Sequence, residues 1–336
     1  MELQIPKGYK SSLDLLETQK AIKIIKDFFQ YRLSDSLNLT RVSAPLFVRA
    51  NTGINDNLNG VETPVGFEFL ENGSMSRLEI VQSLAKWKRV ALKKYNIEEN
   101  HGIYTDMNAI RPSEICDNTH SLYVDQWDWE KVMSPKDRNI DYLKETVRKI
   151  YQCFLDTQTM LINSYEGYKK ILPDEITFVT TEDLEDMYPE KSSDERENLI
   201  TKKYGAVFLI GIGDELKSGK AHSDRSPDYD DWSLNGDILV YNPVLDNCLE
   251  LSSMGIRVDK DRLVYQLNKK NNKDRINLEY HQLLLNDKLP QSIGGGIGQS
   301  RICMFFLQKA HIGEVQSSIW PEDMVEKCEK LGIKLL

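Results

Sequence analysis

The chain has 336 residues, a formal net charge of −9 and five cysteines. No run of about 18 apolar residues and no N-terminal secretion signal occur, and the acidic balance argues against a surface that tracks nucleic acid. The cysteines are odd in number, scattered and without a C-x-x-C pair, which favours a cytoplasmic location and argues against structural zinc.

The first part of the chain predicts a long helix, a strand, a hairpin and a second helix. The long helix spans residues 11–37, and its apolar stripe is formed by Leu15, Ile22, Ile25, Phe29 and Leu33. A strand over 38–48 contains Pro45, which indicates a sheet edge or an interface. Residues 64–82 predict a hairpin, and Ser83 is expected to cap a helix over 83–95.

The rest of the chain predicts neighbouring strands and separate helices. The strands are expected at 102–110, 120–129, 205–213, 235–243 and 248–258. The helices are expected at 139–164, 182–188, 194–204, 259–268 and 276–286, before a glycine-rich turn and a final helix. Strands and helices do not alternate strictly, so the pattern favours an α+β fold with an antiparallel sheet flanked by helices. Because no linker or repeat is visible, residues 1–336 are expected to form a single domain.

The stretch IGGGIGQSR, residues 293–301, combines glycines with the entry of a helix. Backbone N–H groups at a helix start bind anions, and glycine lets a ligand approach closely. The stretch is not a P-loop, which needs Gly-Lys-Ser/Thr, and it lacks the last glycine of the dinucleotide-binding fingerprint. Two interpretations of Arg301 stay open at this point: a guanidinium that reaches phosphate, or a surface arginine.

Two further stretches offer groups for a charged ligand. Arg111 follows a predicted strand and suits a two-point grip on phosphate, although its local sequence favours a loop salt bridge. In DQWDWE, Gln126 and Asp128 share a strand face with Glu130, while two tryptophans on the other face indicate core packing. An amide beside a carboxylate suits an amino acid, and a solvated polar face is the alternative.

The remaining charged residues predict one metal site and several solvated surfaces. Asp237 and Glu250 lie on neighbouring predicted strands, and two carboxylates there would bind Mg²⁺ together with phosphate oxygens. The lysines of QSLAKWKR and the aspartates of PDYDDW are interpreted as solvated. The histidines lack metal-ligand spacing and no G-x-S-x-G elbow occurs, so a hydrolase triad is not expected.

Together these stretches resemble the class II aminoacyl-tRNA synthetase fold. The N-terminal helix with SAPLFV is similar to motif 1, the usual dimer element. Arg111 with its flanking strands is similar to motif 2, and GGGIGQSR is similar to motif 3, whose arginine contacts ATP. More narrowly, the chain resembles the ammonia-dependent asparagine synthetases in DNLNG, SLAKWKR, YVDQWDWE, PDYDDW, LNGDILV and ELSSMGIRVD. Gln82 departs from that pattern, because some relatives have histidine there.

The resemblance implies a core like that of aspartyl-tRNA synthetase without an anticodon-binding domain, in a homodimer that binds no nucleic acid. It also implies that L-aspartate reacts with ATP to give β-aspartyl-AMP and diphosphate, and that ammonia then displaces AMP to give L-asparagine. A synthetase that charges tRNA and a non-catalytic sensor of aspartate or nucleotide are the alternative hypotheses.

The resemblance also implies a role for individual residues. The residues expected to bind ATP are Arg111, Gly296, Gly298 and Arg301, with Mg²⁺ on Asp237 and Glu250. The residues expected around L-aspartate are Ser83, Lys88, Gln126, Asp128, Asp230 and Ser253. Asp56 is expected to handle ammonia, and it joins Arg111 and Arg301 as a catalytic residue.

Overall fold

The computed structural model describes residues 3–56, 58 and 62–336. The helices are α1 Leu15–Leu37, α2 Ala85–Lys94, α3 Ile140–Ser164, α4 Thr181–Met187, α5 Ser193–Tyr204, α6 Lys260–Lys269, α7 Glu279–Leu285, α8 Gln299–Phe306 and α9 Glu322–Lys330. The strands are β1 Leu39–Arg41, β2 Phe47–Arg49, β3 Gly66–Glu71, β4 Ser74–Ile80, β5 Gly102–Ile110, β6 Tyr123–Val132, β7 Thr177–Thr180, β8 Ala206–Ile210, β9 Asp230–Asn242, β10 Asn247–Arg257 and β11 Ser292–Gly298. The DNLNG stretch falls partly outside the described residues.

The main sheet has eight strands in the order β1-β5-β6-β11-β10-β9-β8-β7. Its central strands pair antiparallel, as predicted, but β1 pairs parallel with β5 and β7 pairs parallel with β8. The prediction of an antiparallel sheet is therefore wrong at both edges, and the sheet is mixed. Parallel neighbours need a crossover connection, and here α4 and α5 connect β7 to β8 while a long excursion connects β1 to β5.

The predicted strand over 38–48 divides into two strands that belong to different sheets. Residues 39–41 form β1 in the main sheet, and residues 47–49 form β2 in a small sheet of order β2-β4-β3. Pro45 lies between them, where its missing N–H costs no ladder hydrogen bond. The predicted hairpin over 64–82 is confirmed as β3 and β4 of the small sheet.

The apolar stripe of α1 packs inside the chain. Ile25, Phe29 and Leu33 are fully buried in the main core, whereas Leu15 is exposed. The Phe29 ring stacks on Trp127 of β6 at 4.9 Å between ring centroids. The tryptophans of DQWDWE therefore face a core that α1 and α3 cover, as the alternation predicted.

The glycine-rich stretch is a strand rather than the expected turn. Residues 292–298 form β11, which pairs antiparallel with β6 on one side and with β10 on the other. Helix α8 then begins at Gln299, directly after Gly298. The register places Gly294, Gly296 and Gly298 opposite Glu130, Asp128 and Gln126. The alternate glycines thus share the sheet face that carries the polar side chains of β6.

Within the described ranges, no helix is long and apolar enough to span a bilayer. All five cysteines are free.

Candidate active site

A cleft of about 370 Å³ opens on the polar face of the main sheet. The residues of the sequence-based site that line it are Ser83, Lys88, Arg111, Gln126, Asp128, Asp230, Glu250, Ser253, Gly296, Gly298 and Arg301. Asp56 and Asp237 lie just behind the wall, because each bonds to a lining residue, Ser226 and Arg225 respectively. The fold therefore brings together groups that lie far apart in the sequence.

Arg111 and Arg301 are the two sequence-predicted arginines of the cleft. Arg111 follows the end of β5, and its Nε is buried with no hydrogen-bond partner in the described part of the chain. Arg301 lies in the first turn of α8, where its Nη1 donates to the Glu250 carbonyl oxygen at 3.1 Å. An arginine on the polar wall of a cleft suits contact with phosphate.

Gln126 and Asp128 form the floor of the cleft on β6. A Cβ at Gly296 would collide with Oε1 of Gln126, so this glycine leaves the space that the amide occupies. Asp128 pairs with Lys88, which also donates to the Gly295 carbonyl oxygen at 2.8 Å. Burial lowers the pKa of Lys88, although the negative charge of the Asp128 carboxylate opposes this shift.

A second buried ion pair lies beside the first. Arg257 of β10 donates from Nη2 to Glu130 at 2.6 Å and also pairs with Asp230. Burial alone would raise the pKa of Glu130, but Arg257 outweighs it and the pKa is lowered. Asp230, expected to meet the amino group of aspartate, is thus already held by a guanidinium.

Ser83 and Ser253 reach the cleft from two directions. The prediction that Ser83 caps α2 is wrong, because Leu84 holds the cap position and no side chain of the described residues caps the helix. Ser83 lies one residue earlier, and its Oγ accepts the N–H of Ala85 at 3.2 Å. Ser253 of β10 lies between Gly296 of β11 and Asp237 of β9 in the sheet register. Ser253 lines the cleft with Gly296, and Asp237 lies just behind it.

Asp237 and Glu250 lie on neighbouring strands, as predicted. Burial raises the pKa of Asp237 to about 6. The negative charge of Glu250 adds to this rise, whereas Arg225 opposes it. Arg225 Nη2 donates to Asp237 Oδ1 at 2.6 Å. Across residues 3–56, 58 and 62–336, no group of three or more His, Cys, Asp or Glu side chains could hold a metal ion.

Asp56 is buried, and its carboxylate faces a cluster of charged side chains. Ser226 Oγ donates to Asp56 Oδ1 at 3.0 Å, and Asn55 Oδ1 accepts the backbone N–H of Asp56. Burial raises the pKa of Asp56 to about 6, although Lys86 opposes the shift.

Comparison with known proteins shows the family to which the chain belongs. A family model described as aspartate–ammonia ligase matches residues 16–332. An aspartate–ammonia ligase of Clostridium perfringens is 58% identical over 335 residues, covering 100% of this chain and 99% of that protein. An aspartate–ammonia ligase of Fusobacterium nucleatum is 58% identical over 329 residues, covering 98% of this chain and 100% of that protein. The chain belongs to the aspartate–ammonia ligase family. It is therefore a ligase.

Solved structures at low identity agree on the fold. Asparaginyl-tRNA synthetase from Pyrococcus horikoshii, complexed with asparaginyl-adenylate, has a TM-score of 0.63 at 13% identity and covers 91% of this chain and 70% of that chain. Aspartyl tRNA synthetase from Entamoeba histolytica has a TM-score of 0.61 at 14% identity, over 89% of this chain and 58% of that chain. These likenesses show that this ligase shares the fold of those two synthetases.

Several charged residues of the ligase site were missed or misjudged in the sequence. Arg257 and Arg225 line the cleft, but nothing in their local sequence indicates a site. Glu130 could have been found, because it shares the strand face of Asp128. The interpretation of the lysines and of the PDYDDW aspartates as solvated is wrong. The residues concerned are buried in ion pairs: Lys86, Lys88, Asp228, Asp230 and Asp231.

Proposed function

We propose that the chain makes L-asparagine from L-aspartate, ATP and ammonia through β-aspartyl-AMP, with release of AMP and diphosphate. The observation that carries the proposal is that Arg111 and Arg301 share one cleft with Gln126 and Asp128. A cleft that offers guanidinium groups for phosphates and an amide–carboxylate pair for an amino acid suits the condensation of the two.

The first step joins two anions, so the cleft must supply positive charge. The β-carboxylate oxygen of aspartate attacks the α-phosphorus, and the bond to the diphosphate oxygen breaks. Arg111 and Arg301 would stabilise the charge that develops on the phosphate oxygens, and Gly296 and Gly298 keep the adjacent backbone open to ATP. Losing one such preorganised contact typically costs about 10²–10³ in rate.

Aspartate would be oriented through its α-amino and α-carboxylate groups. Asp128 suits the ammonium group better than Asp230, since its Oδ2 is buried without a hydrogen-bond partner in the described part of the chain. Lys88 and Arg257 are the cations beside these acids and would meet the α-carboxylate. Gln126, Ser83 and Ser253 complete the polar wall.

Asp237 and Glu250 are the residues that would hold Mg²⁺. Burial and the negative charge of Glu250 raise the pKa of Asp237 despite Arg225, and a divalent cation would stabilise the ionised form of both carboxylates. Two carboxylates suffice, because Mg²⁺ usually takes its remaining ligands from phosphates and water. When bound, the ion would neutralise charge on the phosphate oxygens of ATP.

Asp56 would act in the second step. Ammonia is mostly ammonium at neutral pH, and a carboxylate both attracts that cation and accepts its proton. Asp56 Oδ2 is buried, with no hydrogen-bond partner inside the ranges described, so one oxygen is available to the incoming nitrogen. The nitrogen then forms a bond to the acyl carbon while the bond to AMP breaks, and the leaving phosphate takes the proton that the new amide loses.

The deciding experiment separates the two steps in the purified protein. We expect aspartate-dependent exchange of diphosphate into ATP without ammonium, and equal yields of asparagine and AMP when ammonium is added. Absence of exchange together with undiminished asparagine formation would contradict the adenylate. Absence of both would contradict the proposed function and favour the alternative of a non-catalytic sensor.

A further inference from the structure

A short chain of side chains connects Asp56 to the interior behind the cleft. Ser226 Oγ lies 3.0 Å from Asp56 Oδ1 and 2.9 Å from Asp228 Oδ1. All three residues are almost completely buried. Ser226 also lines the cleft, so the chain begins where we propose that ammonia is used.

The serine offers one hydrogen to two carboxylates. An ionised carboxylate can only accept hydrogen bonds, and a hydroxyl group donates one. The two contacts of Ser226 are therefore both hydrogen bonds only when Asp56 or Asp228 carries a proton. When both are ionised, they compete for the same hydrogen and repel each other in a buried space.

Asp228 is the carboxylate that stays ionised. Its Oδ2 meets Lys86 Nζ at 3.1 Å, Arg275 Nη1 at 3.2 Å and His281 Nε2 at 3.0 Å, which leaves Oδ1 to Ser226. Burial alone would raise the pKa of Asp228, but Lys86 and His281 outweigh it and the pKa is lowered well below its usual value.

Asp56 is therefore the member of the pair that takes a proton. The charged and titratable groups that face it are Lys86 of α2, Arg275 of the 3₁₀ segment Lys273–Asn277, Asp228 and Tyr229. Burial and the Asp228 charge raise the pKa of Asp56, while Lys86, Ser226 and Arg275 oppose them. His281 of α7 acts on this group only through Asp228.

We propose that Ser226 and Asp228 are positioning residues that set the strength of Asp56 as a base for ammonium. Asp228 repels a second negative charge, whereas the Ser226 hydroxyl favours it, and their balance decides how readily Asp56 is protonated. In the step itself, one N–H bond of ammonium breaks, one O–H bond forms on Asp56, and neutral NH₃ attacks the acyl carbon. Asp56 returns the proton to solvent through the cleft after AMP leaves. The inference rests on the proposed role of Asp56 in the second step.

The test is the pH dependence of asparagine formation at saturating aspartate and ATP. Between about pH 5 and pH 7 nearly all ammonia is ammonium, so the rate should rise with a midpoint set by ionisation of Asp56. Asp228→Asn removes the repelling charge, and we expect the midpoint to fall by about one pH unit, with a lower plateau. Ser226→Ala removes the donor that favours the carboxylate, and we expect the midpoint to rise.

The matched control is Asp231→Asn. Asp231 lies in the same segment, is equally buried and pairs with Arg138 and Arg262 instead of with the Ser226 chain. We expect its midpoint to equal that of the wild type, whatever the substitution does to thermal stability. If Asp228→Asn does not fold, the inference is tested by the direction in which Ser226→Ala shifts the midpoint of the pH profile.

The outcomes separate this inference from the proposed function. Opposite shifts in the two variants support it, because loss of packing alone would not move the midpoint in two directions. Unchanged midpoints in both variants overturn it and leave the proposed function standing. A wild-type rate that simply follows free NH₃, with no midpoint, removes Asp56 as the proton acceptor. Diphosphate exchange, measured in parallel, reports on adenylation independently of all three results.

Discussion

In the proposed function, different single residues of the site would act in the two half-reactions. Arg111 and Arg301 come from distant parts of the chain, and both line the cleft. Asp56 lies one layer deeper, behind Ser226. Substitutions at these positions should therefore affect different steps.

Arg301→Ala should reduce diphosphate exchange by about 10²–10³ without unfolding the protein, because Arg301 is part-exposed and contacts the Glu250 backbone. Arg111→Lys should also be impaired, since an ammonium group cannot reproduce a planar two-point grip. The matched control is Arg148→Ala, which removes an exposed arginine of α3. Exchange rates measured with radiolabelled diphosphate check the prediction, and a near wild-type Arg301→Ala would make Arg301 a surface residue.

Asp56→Asn should impair the second half-reaction. The amide keeps the shape of the side chain but loses the charge that attracts ammonium and the basicity that deprotonates it. Asparagine yield should fall by about 10²–10⁴, while aspartate-dependent diphosphate exchange persists. Higher pH and more total ammonia should recover part of the loss, since free NH₃ is then more abundant. An equal fall in both activities would assign Asp56 to aspartate or ATP binding.

The same substitution should change stability in a pH-dependent way. The folded pKa of Asp56, about 6, lies above the usual value for an aspartate, so folding favours its protonated form. The stabilising contribution is complete below the unfolded pKa and disappears as pH rises through about 6. The free energy of unfolding of Asp56→Asn should therefore exceed that of the wild type by about 1–3 kcal/mol at neutral pH. This difference should disappear near pH 4. Denaturant unfolding at both pH values measures the difference.

At the scale of the elements, strand β11 holds the site together. Its glycines alternate between the cleft, where Gly296 faces Gln126, and the opposite side, where Gly295 faces Met254. Three of its positions thus accept no side chain without displacing a neighbour. The sequence placed this stretch at a helix entry but could not show the strand, because glycine-rich composition is typical of turns.

The two faces of β11 give a matched pair of substitutions. Gly296→Ala should push the Gln126 amide out of place, so we expect a raised KM for aspartate and a lower rate. Gly295→Ala brings a Cβ to 2.5 Å from the Met254 Cβ, so it should mainly lower the free energy of unfolding. Steady-state kinetics and chemical denaturation of both variants distinguish the effects, and an unchanged KM in Gly296→Ala would contradict the assignment of Gln126.

For the whole molecule, local periodicity predicted helices α1 to α8, the polar face of β6 and the tryptophan face of the core, whereas α9 was not predicted. Short-range pattern also drew attention to Arg111, Asp128 and Arg301, but it left the role of each open. It could not find the ion pairs behind the cleft, because Lys86 and Asp228 lie 142 residues apart in the chain. A buried lysine is stable only with such a partner, so the same local sequence is typical of a solvated helix. The parallel edge pairings were missed for the same reason.

The sequence also predicts how the molecule assembles. The expected assembly is a homodimer built on residues 11–37 and the strand around Pro45. The stripe that suggested it is largely used inside the chain, but other apolar side chains near Pro45 are exposed. Phe47 and Phe67 pack edge to face on the small sheet at 5.3 Å between ring centroids, and both are exposed. An exposed apolar patch of this kind is typical of an interface.

We therefore expect a dimeric mass by light scattering at micromolar protein, with the small sheet in a twofold interface. Phe67→Asp should convert the dimer to monomer, because a twofold contact places the new charge at the interface on both subunits. Ile319→Asp is the matched control, since Ile319 is 80% exposed and lies outside the small sheet. A monomeric wild type would contradict the dimer itself. A dimeric Phe67→Asp would instead leave the exposed side of α1, with Leu16 and Tyr31, as the contact surface.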